Sequence, residues 1–391
     1  MLSKNIVFKN FKLKKNTKKN KIIKKLLQKE LINSLPLLNS LTSNYKYSFK
    51  KKDINKLKKY KLFNLIGMGG SILGTEAIYD FLGHKINKKF KFYNNLQNKN
   101  ILKKKNKNVN LIISKSGNTL ETIVNFNLIL KNQKQNKNII ITEKKNSILT
   151  LLAQKLKAEI FEHKNYIGGR YSVLSEVGML PAQLMGLNEK KFKRLNYLIK
   201  NKRFINNLIG NVAKTINLVR NKKYLSIILN YDKSSENLFS WYQQLIAESL
   251  GKKSKGILPL ISKMPKDNHS LMQFYLEGSK KSFYTFFSVL EKNSNKINSK
   301  YLLKSHYYLR NKNLSKIISS QSIATQNVFK RKKIPFRSFE ILQRNEQSLG
   351  EIFCFFILET ILLGRALKVN PFDQPSVELI KKETKKILIR N

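Results

Sequence analysis

Acidic side chains are scarce in this sequence. Only 23 Asp and Glu stand against 77 Lys and Arg, a formal net charge of +54. Such an excess attracts phosphate, so a nucleic-acid binder is the first class to weigh. The pattern speaks against it. The cations are not gathered into one arm or helix face but scattered as Lys/Asn tracts, such as KLKKNTKKNKIIKK over 12–25 and the stretch 98–110. Together with the frequent Ile, that is the bias AT-rich codon usage produces. We read the charge as compositional, with non-specific attraction to anions as a by-product, and expect no specific nucleic-acid partner.

Cysteine is nearly absent. The single Cys354 excludes an internal disulfide, lies in the apolar run 352–358 and suits packing in a reducing compartment. Histidine is also rare, and His84, His163, His269 and His306 are far apart in sequence, so no metal is expected. Long apolar runs are missing. The most apolar segment, 352–364, is broken by Glu359 and falls short of the ~18 residues a membrane span needs. The N-terminus MLSKNIVFKNFKLKKN is basic and acid-free but has no Arg, and Ser3 is the only serine before residue 34. It reads as a Lys-biased extension, and the chain as cytoplasmic.

What is present is an alternation of strand and helix patterns. Residues 1–60 read as Lys-rich helical and irregular segments. Strands are expected at 62–66, 90–93, 110–113, 138–141 and 159–162, with helical patterns between most of them. After Lys-rich helices over 188–221, a second series follows: strands at 224–230, 256–260, 283–289 and 334–341, and helices at 235–248, 320–329, 347–367 and 376–389. This pattern argues an α/β fold of two doubly wound, mostly parallel sheets with helical terminal segments. The division is 1–60, 61–200 and 201–391.

Two strand-to-helix turns carry the functional signal. The stretch 109–122, VNLIISKSGNTLET, runs from a β-branched strand through Ser114, Ser116, Gly117, Asn118 and Thr119 into a helix N-terminus. Free first-turn N–H groups, the helix dipole and neutral hydroxyls make such a turn an anion site. Upstream, GMGGS over 67–71 repeats the layout with glycines that allow close backbone approach. The sixth position counted from Gly67 is Ile72, so the dinucleotide pattern is incomplete, and no Gly-Lys-Ser/Thr ending marks a nucleotide P-loop. Two cradles without a nucleotide signature suggest a small phosphate ester.

Three further residues have the right chemistry. Arg170 follows the Gly168-Gly169 turn, well placed for an anion. Glu248 ends the helical pattern 235–248, where the negative end of the dipole tends to raise a carboxyl pKa, as a general base needs. The plain alternative is a surface glutamate near Lys252 and Lys253. His269 stands in the polar stretch KDNHS, and Lys381 has the spacing of an ordinary amphipathic-helix lysine.

GMGGS and SKSGNTLET resemble the sugar-isomerase (SIS) domain. The ordered set GMGGS, SKSGNTLET, GGRYSVLSEVGMLPA, YQQLIAESLGKKSKG, DNHSLMQFYLEG and FDQPSVELIKK resembles the glucose-6-phosphate isomerase family over roughly 61–386. The resemblance implies an aldose–ketose isomerase interconverting glucose 6-phosphate and fructose 6-phosphate, without metal or cofactor. It implies that Gly70 and Ser71 line the sugar site. Ser114, Lys115, Ser116 and Thr119 would hold the phosphate, with Glu121 behind them. Arg170 would stabilise an enediolate and Glu248 would shuttle the C1–C2 proton. His269 and Lys381 would assist ring opening, and Gln374 would add a polar contact. It also implies a homodimer in which His269 comes from the partner. The alternatives are a dual phosphoglucose/phosphomannose isomerase and a non-catalytic SIS regulator, which would not need Glu248, His269 and Lys381 together.

Overall fold

The computed structural model describes residues 1–391 except 15, 33–34, 98–107, 133–135, 292 and 391. Most of the Lys/Asn stretch at 98–110 therefore lies outside the described residues. The chain begins with a strand, β1 (Ile6–Lys9), where the sequence pattern led us to expect helical and irregular segments. Ile6 and Phe8 point inward while Lys9 is exposed, the period-two alternation of a half-buried strand. Four residues between Lys-rich flanks are too few to stand out in a sequence. Helices α1 (Thr17–Ile32) and α2 (Lys51–Leu57) follow.

The first sheet comprises β2 (Leu62–Gly67), β3 (Lys89–Tyr93), β4 (Val109–Ile113), β5 (Lys137–Thr142) and β6 (Glu159–Glu162), in the order β3-β2-β4-β5-β6, with every pairing parallel. Its helices are α3 (Leu73–Phe81), α4 (Leu120–Asn132) and α5 (Ile148–Lys155). Four helices connect the halves: α6 (Glu176–Leu184), α7 (Glu189–Phe192), α8 (Leu195–Lys200) and α9 (Lys202–Arg220). The second sheet holds β7 (Leu225–Asn230), β8 (Leu258–Lys263), β9 (Ser282–Val289) and β10 (Phe336–Ile341). With β1 it is ordered β8-β7-β9-β10-β1, parallel except for the antiparallel β1–β10 pair. Helices α10 (Glu236–Leu250), α11 (Leu314–Arg331), α12 (Glu346–Leu367) and α13 (Pro375–Arg390) complete the chain.

Over four strands the two orders are the same, and they differ at the fifth, where β6 is parallel and β1 antiparallel. In each sheet the chain steps one way from the first strand of its series (β2 to β3, β7 to β8) and then crosses back to that strand's other side (β4, β9). Each sheet thus has a switch point where ligands bind in such folds, beyond the carboxyl ends of β2 and β4 or of β7 and β9. One apolar core spans both halves, from β2, β4 and β5 through α3, α6, α10 and α12 to β9 and β10. Helix α12 is its axis, buried from Ser348 to Gly364, and burial pushes the Cys354 thiol up to about 12. The Glu359 that breaks this apolar run faces the buried Arg337 of β10, with Asn211 and Tyr242 completing its contacts.

Two local departures have plain causes. Pro181, expected from the sequence to interrupt or kink the apolar run 173–187, lies inside α6. The carbonyl its missing N–H leaves free, that of Val177, accepts instead from Thr75 Oγ1 at 3.2 Å. Strand β8 starts at Leu258, two residues later than expected, because Gly256 has φ +127°. Its Pro259 is tolerated on an edge strand.

Candidate active site

Glycine determines how closely the two halves of the site approach. The turn after β2 runs against the turn 168–170, and a Cβ on Gly70 would lie 2.2 Å from Gly169 C and 2.4 Å from Arg170 N. No side chain fits there. Gly69, at φ +52°, faces Gln244 of α10, whose amide a Cβ would meet at 2.7 Å. Helix α3 packs along α10, so the first cradle and the C-terminal half of α10 are held as one body.

Arg170 is the centre of the assembly and is 3 % exposed. Its Nε donates to Ser249 Oγ at 2.7 Å, and its Nη1 to Glu248 Oε1 and to Gln374 Oε1, each at 2.9 Å. Its Nη2 donates to the carbonyls of Pro371 at 2.7 Å and Asp373 at 3.2 Å. A guanidinium has five N–H donors, and all five are engaged. Glu248 takes a second hydrogen bond at Oε2 from Gln244 Nε2 at 2.9 Å. Trp241 Nε1 donates to the Arg170 carbonyl at 3.2 Å. Glu248 lies in the last turn of α10, its side chain 22 % exposed, and the Arg170 cation offsets the negative end of the helix dipole there. The surface reading of Glu248 fails: Lys252 turns instead to Asp373 and the Asn370 carbonyl.

The second cradle is neutral. Ser114 Oγ and Thr119 Oγ1 share a hydrogen bond of 2.8 Å, and Ser116 Oγ accepts from the Asn118 N–H at 3.2 Å. Gly117, at φ +69°, makes the turn, and α5 braces it: the Ile148 N–H donates to Asn118 Oδ1 and the Leu149 N–H to the Gly117 carbonyl. Helix α4 begins directly behind, its first-turn N–H groups free of helical partners. Lys115 donates to the Asn165 carbonyl at 2.8 Å and lies 3.6 Å from Glu143. A cavity of about 300 Å³ adjoins, lined by Lys115, Gly168, Tyr171 and Phe372 among others. Neutral donors, one fixed cation and one carboxylate can bind an anionic polyol and move a proton on it.

Comparison with known proteins supplies the family. The phosphoglucose isomerase family model matches residues 57–390. The chain belongs to the phosphoglucose isomerase family. A glucose-6-phosphate isomerase of Methanocaldococcus jannaschii is 34% identical over 352 residues, covering 83% of this chain and 85% of that one. One from Mycoplasmopsis pulmonis is 33% identical, covering 89% and 85%. Among solved structures, a glucose-6-phosphate isomerase from Chlamydia trachomatis aligns over 99% of this chain and 89% of its own, with a TM-score of 0.77 at 16% identity. That likeness concerns the fold, two mostly parallel α/β sheets with their helices.

Of the residues carried over from the family motifs, Gly70, Arg170, Glu248 and Gln374 meet in one place. Ser71 is buried beside Gly70. Ser114, Ser116 and Thr119 form the second cradle with Lys115 at its rim, and Glu121 stands in the first turn of α4. Two residues do not join them within one chain. His269 is exposed on the loop after β8, and Lys381 is exposed on α13, 2.7 Å from Glu378. Sequence reasoning missed Gln244, Ser249 and Tyr171. Gln244 was within reach, since i and i+4 on a helix share a face and it stands four residues before Glu248.

Proposed function

We propose that this member of the phosphoglucose isomerase family interconverts glucose 6-phosphate and fructose 6-phosphate by proton transfer through an enediolate. The observation that carries the reading is the Arg170–Glu248 pair, 2.9 Å apart, enclosed by two glycine turns and the 371–374 loop. The phosphate rests on the Ser114, Ser116 and Thr119 hydroxyls and the N-terminus of α4, with Glu121 behind and Lys115 at the rim. Gly70 and Ser71 form the floor beneath the sugar. Glu248 takes the proton from C2 and returns it to C1, its partner Gln244 holding the other carboxylate oxygen in place. Arg170 lies against the developing oxyanion as a charge already oriented and already desolvated.

Its donors are full, so substrate enters by exchange. The Gln374 side-chain carbonyl is the one neutral, half-buried acceptor among its partners, and a sugar oxygen takes its place. Ring opening falls to His269 and Lys381. Neither reaches the pair in a single chain, so the reading includes a homodimer in which the partner's copy of the exposed loop after β8 completes the site. The exposed Leu379, Ile380 and Ile389 of α13 favour such burial. No helix among the described residues is long and apolar enough to cross a membrane. Buried, unpaired Cys354 suits a reducing cytoplasm.

The test is conversion of fructose 6-phosphate to glucose 6-phosphate by purified protein in EDTA, read by a coupled dehydrogenase. Turnover is expected, and Glu248→Gln should lower kcat by about 10³-fold with KM nearly unchanged. Equal turnover of mannose 6-phosphate would make the enzyme dual. If sugar phosphate raised the melting temperature without turnover, the chain would be a sensor on this fold.

A further inference from the structure

Ser249 is fully buried and follows the proposed base in sequence. Its hydroxyl closes a ring of hydrogen bonds around Arg170. Arg170 Nε lies 2.7 Å from Ser249 Oγ, Ser249 Oγ 3.0 Å from Tyr171 Oη, and Tyr171 Oη 3.0 Å from the Pro371 carbonyl. The same carbonyl accepts from Arg170 Nη2 at 2.7 Å. Every proton in this ring can be placed. A guanidinium only donates and a carbonyl only accepts. Tyr171 spends its one proton on Pro371, so towards Ser249 it accepts. Ser249 therefore accepts from Arg170 and donates to Tyr171. The polarity runs one way, from a cation to a carbonyl, and each bond polarises the next.

Three segments meet in the ring: the 168–171 turn, the end of α10 and the loop that carries Gln374. Arg170 has a long side chain and must present Nη1 to Glu248 and to the reacting sugar. Ser249 fixes it at Nε, one atom back from the plane's working edge, while Pro371 fixes Nη2. We infer that Ser249 is a positioning residue that, through the Ser249–Tyr171–Pro371 relay, sets the orientation of the Arg170 guanidinium against Glu248. This rests on the isomerase reading given above. A methyl group at 249 leaves the Nε–H and the Tyr171 oxygen without their partner in a dry site, and the guanidinium turns to recover a bond.

The experiment compares Ser249→Ala, Ser249→Cys and Tyr171→Phe in the full-length protein. Ser249→Ala should lower kcat about 30-fold with KM within about twofold, because the lost contact acts on the reacting charge and not on phosphate binding. Cys, similar in volume but a weak donor and acceptor, should fall between wild type and Ala. Tyr171→Phe, which cuts the ring one bond further out, should cost about threefold to fivefold. The double variant Ser249→Ala/Tyr171→Phe should be no slower than Ser249→Ala, since the relay is already broken. If Ala and Cys were equal and the losses multiplied, Ser249 would be packing only and the inference would fall. Should Ser249→Ala not fold, the Cys and Phe variants carry the comparison. A readout independent of turnover is hydrogen exchange at Arg170 Nε–H in ¹⁵N-arginine-labelled protein. It should be slow in wild type and accelerated in Ser249→Cys. Fast exchange in wild type overturns the ring itself, whereas an inactive wild type with slow exchange overturns only the isomerase reading.

Discussion

The two switch points share a topology and have opposite chemistry. Beyond β2 and β4 the chain places glycines and neutral hydroxyls, Gly67 to Ser71 and Ser114 to Thr119, and leaves room for an anion. Beyond β7 and β9 it places its own charges. Asp232, after β7, is gripped by Arg344, after β10, at 2.7 and 3.2 Å. Ser235 donates to the same carboxylate, and Glu291, after β9, takes the Nε of Arg344 at 2.8 Å. Arg344 and Asp232 side chains are each 11 % exposed. A carboxylate held by a hydroxyl and a guanidinium is what a bound phosphate would look like, supplied here from within. One crevice is open for a ligand and the other is filled by an internal ion cluster, which also fastens the halves: Arg344 stacks over Phe81 at the end of α3, and Lys85 pairs with Glu346. The lesson is that duplicated topology positions a crevice, and only the side chains at its lip decide whether it binds.

Breaking the filled crevice gives the largest effect. Arg344→Ala strands Asp232 and Glu291 without their cation, and the cost of one unpaired, largely buried carboxylate is about 2–3 kcal/mol after allowance for its residual exposure. The melting temperature should fall by roughly 5 °C, while kcat of the folded variant stays within about threefold of wild type. A variant of normal stability and lost turnover would mean that the second crevice works in catalysis, and the contrast would collapse. Sharpening the open crevice gives a smaller effect. On the proposed reading Ser114→Ala removes one hydroxyl of the phosphate site, so KM should rise about tenfold, near 1.4 kcal/mol, with kcat and melting temperature little changed. An unchanged KM would show that the hydroxyls merely cap α4.

The contrast also explains what could be seen in the sequence. The open crevice was legible because its chemistry is local: GMGGS and SKSGNTLET each contain strand end, turn and helix start in one stretch. Its alternating strands were legible for the same reason, and the boundaries missed by one or two residues at Gly256 and Ile334 are turn effects. The filled crevice was not legible. Asp232, Glu291 and Arg344 come from three separate loops, and neither their local flanks nor charge counting pairs them in a chain with 77 basic residues. Strand β1 was hidden likewise, because its register with β10 joins residues 6–9 to 338–341. Arg170 and Glu248 could be named individually, but their meeting, and the Ser249 and Tyr171 hydroxyls behind them, depend on two turns packing where Gly70 admits no Cβ.

The finest difference between the crevices lies in a histidine at the rim of the open one. His163 follows β6, its backbone N–H bonded to the Thr142 carbonyl and its Nδ1 3.1 Å from the Lys164 carbonyl. It is 1 % exposed, and burial pulls its pKa down to about 4, with Lys115 nearby lowering it and Glu143 opposing. The imidazole is thus held neutral in a wall where Lys115 and Glu143 already carry charge. Because the folded pKa lies below the unfolded value near 6.5, the unfolded chain binds the proton first. Stability from this residue is fully present above pH 6.5 and is lost as pH falls towards 4. His163→Leu should therefore flatten the acid side of the stability curve, with a difference from wild type of about 1 kcal/mol developing between pH 7 and 5.5. Urea unfolding at a series of pH values measures it. Parallel curves for the two proteins would mean that folding leaves the imidazole titrating as it does in the unfolded chain, and the wall would then gain a positive charge beside Lys115 only as pH falls below about 6.5.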